Sequence, residues 1–115
     1  MIYKSVTELI GNTPLLDEKN FAAKVGFNEK LLVKLEYFNP AGSVKDKIAK
    51  AMIEHAEQEG KLNKDFVIIE PTIGNTGIKL VSFAAARGYR TILIITETMS
   101  VERLQLLKVY GAEIL

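Results

Sequence analysis

The chain has 115 residues, 48% hydrophobic and 25% charged, which suits one small globular domain and leaves no room for two. Its formal net charge of +1 arises from 15 basic and 14 acidic residues scattered along the chain, so nothing argues for nucleic acid or an acidic membrane as a partner. With no cysteine and one histidine, His55, disulfides, thiolate metal sites and histidine-rich metal sites are all excluded.

The opening MIYKSVTELIGNTPLL lacks a sustained apolar core and carries Lys4 and Glu8, so it does not read as a signal peptide. No stretch reaches the roughly 20 apolar residues that span a bilayer, and a cytoplasmic location is expected. Ser5 to Glu8 has capping-box spacing, which predicts one short helical turn before the Asn12-Thr13-Pro14 break. A short helix is expected around Phe21 to Val25, and Leu31 to Tyr37 partly alternates as a strand does. Asn39-Pro40-Ala41-Gly42 then punctuates the chain.

Ser43 is the predicted N-cap of the clearest helix, with Asp46 in capping-box register. Its predicted apolar face carries Ile48, Ala51, Met52 and Ala56, with His55 on the same side as a packed or interface histidine, and Gly60 is the stop. Phe66 to Ile69 reads as a strand ending at Glu70-Pro71, and a helix follows from about Ile78 to Arg87, stopped by Gly88. Thr91 to Thr96 is β-branched and continuously apolar, the pattern of a strand buried on both faces. Ser100 opens another helix that ends before Gly111, and Glu113 to Leu115 starts a further strand. The order from residue 66 is β-α-β-α-β, which predicts an α/β fold with a small parallel sheet and right-handed crossovers.

Two loops could carry chemistry. Lys45 lies at the second helical position after Ser43, facing the positive end of the helix dipole. Local rules are broken most often at functional sites, and such a position favours the neutral amine that attacks carbonyls. A surface lysine beside a capping box also accounts for it. The second loop, Thr72-Ile73-Gly74-Asn75-Thr76-Gly77, joins a strand to a helix. Its glycines and the helix N-terminal amides would suit a carboxylate or phosphate, although a plain connecting turn explains them equally well. The spacing matches neither GxxxxGK[ST] nor GxGxxG, so nucleotide binding is a distant alternative. Glu36 and Glu70 end strands near these loops without a role the sequence assigns.

Together NTPLL at residues 12–16, KLEYFNPAGSVKDK at 34–47, IEPTIGNTGIKL at 69–80 and TMSVERLQLLKVYGAEIL at 98–115 resemble the cysteine synthase (O-acetylserine sulfhydrylase) family. These are fold-type II enzymes that use pyridoxal 5'-phosphate (PLP). The resemblance implies a three-layer arrangement like their N-terminal small domain, cut short. Residues 1–38 would be a segment that packs on a large domain absent here, and 39–115 an incomplete small domain. It further implies that Lys45 binds PLP and moves the substrate α-proton, and that Asn75 hydrogen-bonds the cofactor's phenolic oxygen. Thr72, Ile73, Gly74, Asn75 and Thr76 would grip the substrate carboxylate.

The implied reaction converts O-acetylserine and sulfide to cysteine and acetate, in a homo-oligomer with no metal. Ile73 stands where serine is usual, removing a hydroxyl whose bond to a charged group is worth about 1.5–3 kcal/mol. Lys47 stands where arginine is usual. The Gly-rich cup for the PLP phosphate lies beyond residue 115 in the family, so the chain is expected to be inactive alone. A non-catalytic oligomerising or amino-acid-binding module, or part of a cystathionine β-synthase-like enzyme, are the alternatives. Ile2, Leu9, Ile10, Leu15 and Leu16 would then pack elsewhere, stay exposed or meet another chain.

Overall fold

The computed structural model describes residues 1–71 and 74–115. The N-terminal part opens on a 3-10 turn at Val6–Leu9, where Ser5 Oγ accepts the Thr7 N–H at 3.2 Å. Strand β1 (Leu15–Asp17), helix α1 (Lys19–Lys24) and strand β2 (Leu32–Lys34) follow, with β1 antiparallel to β2 and Leu15 opposite Lys34. The sequence offers no sign of β1, because three residues are too few for a period and only pairing with a distant segment defines it. The strand expected over Leu31 to Tyr37 is shorter than its apolar pattern, since Glu36–Phe38 forms a second 3-10 turn.

Helix α2 spans Lys45–Gln58, β3 Val67–Pro71, α3 Asn75–Arg87, β4 Arg90–Ile94, α4 Val101–Val109 and β5 Glu113–Ile114. The three strands pair in parallel in the order β3-β4-β5, with Ile69 opposite Ile92 and Ile92 opposite Glu113. This is the expected α/β class with its small parallel sheet. Ser100 Oγ caps α4 by accepting the Arg103 N–H at 3.4 Å, as its sequence predicts.

Two apolar clusters hold these elements together. Ala49 and Ile53 of α2 meet Leu80, Phe83 and Ala84 of α3, with Ile68 beneath. Ile78 and Val81 of α3 meet Leu93 of β4, Leu107 of α4 and Ala112. Leu93 thus touches both crossover helices, so α3 and α4 share one face of the sheet. On the other face Ile69 and Ile94 are exposed. The continuous apolar run in β4 is therefore not buried on both sides: Thr91 and Leu93 point inward and Ile94 does not.

Helix α2 also turns a different face inward from the one its apolar residues predict. Asp46, Ala49 and Ile53 are buried, while Ile48 and Met52 are about half exposed. His55 is not packed: its side chain is 70% exposed and sits 3.5 Å from Glu59. Burial of Asp46 causes the rotation, as shown below.

The molecule extends over 55 × 36 × 25 Å, and its radius of gyration of 17.5 Å exceeds the roughly 13 Å of a compact chain this long. Ile2, Leu9, Leu15 and Leu16 are exposed, whereas Ile10 packs against the α2–α3 cluster.

Gly88 ends α3 in the left-handed region at φ 76°, and a Cβ there would lie 3.2 Å from Lys64 Nζ. Lys64 Nζ donates to the Arg87 carbonyl beside it. A Gly88→Val substitution is expected to cost about 1–2 kcal/mol from backbone strain, read as a lower urea midpoint at constant slope.

Candidate active site

The candidate site forms where α2 and α3 begin. Near the start of α2, Asp46 lines a narrow cleft with Lys79 and Ser82 of α3. Further along, Glu54 Oε1 accepts a bond from Arg87 Nη2 at 2.9 Å, and Glu57 Oε1 accepts one from Tyr89 OH at 2.6 Å. Early residues meet early residues and late meet late, so the helices run parallel. Both N-termini open at one end, the carboxyl end of β3, where ligands of parallel sheets bind.

Lys45 is the first residue of α2, preceded by Val44 in helical conformation rather than capped by Ser43 in extended conformation. The Ser43 hydroxyl still satisfies an open donor, accepting the Lys45 N–H at 3.2 Å. The bonds from Asp46 N–H to the Ser43 carbonyl and from Lys47 N–H to the Val44 carbonyl make this turn 3-10-like. The Lys45 side chain is exposed, and its amine has no hydrogen-bond or ion-pair partner among the described residues.

The two residues after it are both bonded inward. Asp46 is 2% exposed, and its Oδ2 accepts the Ala41 N–H at 2.6 Å. The capping-box partner expected from sequence is Ser43, so the carboxylate reaches two residues further back than predicted. Lys47 Nζ pairs with Glu36 Oε1 at 2.7 Å.

Glu36 is a hub that sequence reasoning left without a role. Besides Lys47, it accepts the Thr13 hydroxyl at 3.1 Å and Asn39 Nδ2 at 2.9 Å. Asn39 is 2% exposed, and its Oδ1 accepts the Gly11 N–H at 2.9 Å. The one sequence signal was a glutamate closing an apolar strand beside a turn. Its partners lie too far off in sequence to be read.

The bond from Lys47, with those from Asn39 and Thr13, holds the Glu36 carboxyl below the usual glutamate range, against desolvation that raises it. As pH falls through that range, the unfolded chain binds a proton at Glu36 before the folded chain does. The Glu36 contribution to stability is therefore complete above the ordinary glutamate range and is lost as pH drops through the lowered folded value. Glu36→Gln should flatten this part of the acid limb in urea stability against pH. An unchanged limb would count against the network.

Of the other candidates, Thr72 and Ile73 lie outside the described residues. Gly74 precedes α3 in extended conformation and offers no side chain as a cap. Asn75 opens α3 and is exposed, Thr76 is half-buried and Gly77 is buried. The α3 N-terminal amides are thus placed at the same end as Lys45. Among the described residues, no group of three His, Cys, Asp or Glu side chains could hold a metal ion, and no helix is long and apolar enough to cross a membrane.

The sequence profile of the family described as pyridoxal-phosphate dependent enzyme matches residues 6–115. A cysteine synthase of a Flavobacterium species is 50% identical over 113 residues, covering 98% of this chain and 36% of that protein. A cysteine synthase of Staphylococcus aureus is 51% identical over 110 residues, covering 96% of this chain and 35% of its own length.

Among solved structures, a hydrogen sulfide-producing enzyme from Fusobacterium nucleatum superposes with a TM-score of 0.89 at 47% identity, over 100% of this chain and 37% of that one. An O-ureido-L-serine synthase gives 0.88 at 39% identity, covering 100% of this chain and 35% of the other. The chain spans about a third of the length of the curated relatives it matches. With a profile match over nearly all its residues and a shared fold around Lys45, the chain belongs to the pyridoxal-phosphate dependent enzyme family.

Proposed function

We propose that this chain supplies the cofactor lysine and the substrate-carboxylate loop of a cysteine synthase-like enzyme. One observation carries the proposal. Lys45 presents an amine without a partner among the described residues at the shared N-terminal end of α2 and α3, while the two residues after it are held by hydrogen bonds. The residues present fit PLP in two respects: an available primary amine for its aldehyde, and helix N-terminal amides for an anionic group nearby. PLP, when bound, supplies an electron sink for the charge left at the substrate Cα.

In this proposal Lys45 carries the cofactor and then moves the α-proton. Asn75 would hydrogen-bond the cofactor's phenolic oxygen. Thr72 to Thr76, with the α3 amides, orient the substrate carboxylate. The proposed substrates are O-acetylserine, which loses acetate, and sulfide, which adds in its place to give cysteine. A cytoplasmic homo-oligomer suits the exposed apolar residues of the N-terminal part.

Incubation with PLP, borohydride reduction and peptide mapping tests the assignment. The expected result is a pyridoxyl group on the peptide containing Lys45. Absence of label, or label spread evenly over the lysines, would sink it. Binding of an amino acid without any label would favour a non-catalytic module instead.

A further inference from the structure

The two residues that follow Lys45 are held in ways a helix start does not require. A capping carboxylate is ordinarily half solvated, yet Asp46 is 2% exposed, and its Oδ1 has no hydrogen-bond partner among the described residues. Burying a carboxyl group with one oxygen unpaired costs stability, and such costs persist mainly where function requires them. The single bond made by Oδ2, to Ala41 N–H, spans the turn that delivers the chain to Lys45. Gly42, at φ 84° in that turn, shows how sharply the backbone bends there.

One residue further on, Lys47 is tied to Glu36, and Glu36 in turn holds Thr13 and Asn39. Asn39 fastens the Gly11 amide and, through its own Nδ2, the Glu36 carbonyl. Three segments separated in sequence, around Gly11–Thr13, Glu36 and Lys47, therefore converge on one carboxylate. Lys45 lies inside the span that the Ala41–Asp46 bond closes and two residues before the anchored Lys47, while its own amine has no partner among the described residues.

Resting on the assignment of Lys45 above, we infer that Glu36 and Asp46 are positioning residues for Lys45. Together they bracket its backbone so that the amine meets the cofactor's aldehyde carbon in one fixed approach. They touch neither cofactor nor substrate. A displacement of about 1 Å at a reacting group can cost a factor of about 100 in rate, so the bracket should appear in the kinetics of attachment rather than in whether the chain folds.

The test uses the whole protein and follows the rate at which borohydride traps a pyridoxyl group on Lys45. Asp46→Asn, Glu36→Gln and Lys47→Met are each expected to slow trapping by about tenfold or more. Lys47→Arg, which retains a cation for Glu36, should stay within about twofold of the wild type. A cofactor-free measurement accompanies it: acetylation of Lys45 by a small reagent, relative to Lys50, should not change, because a small reagent needs no fixed approach. Circular dichroism melts give the folded fraction of each variant.

Slow trapping in folded variants, with rescue by Lys47→Arg, supports the bracket. Wild-type trapping rates in the variants would overturn it, as would losses that merely follow the unfolded fraction. Equal losses in Lys47→Arg and Lys47→Met would overturn it too. A wild-type protein that takes no label on Lys45 would overturn the Lys45 assignment and this inference together. A labelled wild type with unaffected variants would overturn the inference alone.

Discussion

Replacing Lys45 with alanine is expected to abolish reductive incorporation of PLP, while Lys50→Ala leaves it intact. The contrast follows from what each amine is doing. Lys50 lies 3.9 Å from Glu54 one turn along α2, and Lys47 is engaged with Glu36 at 2.7 Å. Attack on an aldehyde needs an amine that is free to approach it, and an ion-paired amine must first leave its partner. Among the lysines of the first two turns of α2, Lys45 alone has no partner among the described residues. Peptide mapping after borohydride reduction measures the outcome. Incorporation that survives Lys45→Ala, or that moves to Lys47 or Lys50 in the wild type, would show that position along α2 does not govern attachment.

Phe83→Ala is expected to destabilise the chain by about 3–5 kcal/mol. Phe83 is 2% exposed and fills the seam between α2 and α3 with Ala49, Ile53, Leu80 and Ala84. Its neighbours include two alanines, whose short side chains cannot swing in to fill the gap. The loss should therefore include the full cavity cost as well as the lost transfer energy. Arg87 also stacks over the Phe83 ring at 5.3 Å from its centroid, and that contact would be lost. Since small domains are stable by only about 5–15 kcal/mol, a loss of this size removes a large share of the total. Urea unfolding followed by circular dichroism would register it. A change below about 1 kcal/mol would mean that the α2–α3 seam contributes little to the fold.

Much of the secondary structure was legible because its signals are local. Ser5 and Ser100 cap their helical turns as their positions predict, and Gly88 stops α3 in the left-handed conformation that glycine favours. The alternation of strands and helices after residue 66 predicted the parallel sheet, since a right-handed crossover leaves few other arrangements. The motif around Lys45 placed the candidate lysine at a helix start without any structure.

The face buried by α2 was misread for a physical reason. Hydropathy ranks Ile48 and Met52 above Asp46, but Asp46 gains the Ala41 amide and sits against α3, which rotates the helix about its axis. Strand β1, the hub at Glu36 and the burial of Asn39 were illegible for a related reason. Each depends on a partner many residues away, such as Gly11 for Asn39 or Lys34 for Leu15.

The sequence by itself determined the order of elements from residue 66 onward, the caps at Ser5 and Ser100 and the place of Lys45 in a recognisable motif, because these follow from short-range backbone preferences and side-chain type. Only the tertiary structure decided that α2 and α3 run parallel with their N-termini together, that Asp46 fastens the turn leading into Lys45, and that Glu36 fastens the Lys47 that follows it. Those outcomes depend on which distant groups satisfy a buried carboxylate, and no local pattern along a chain encodes that choice.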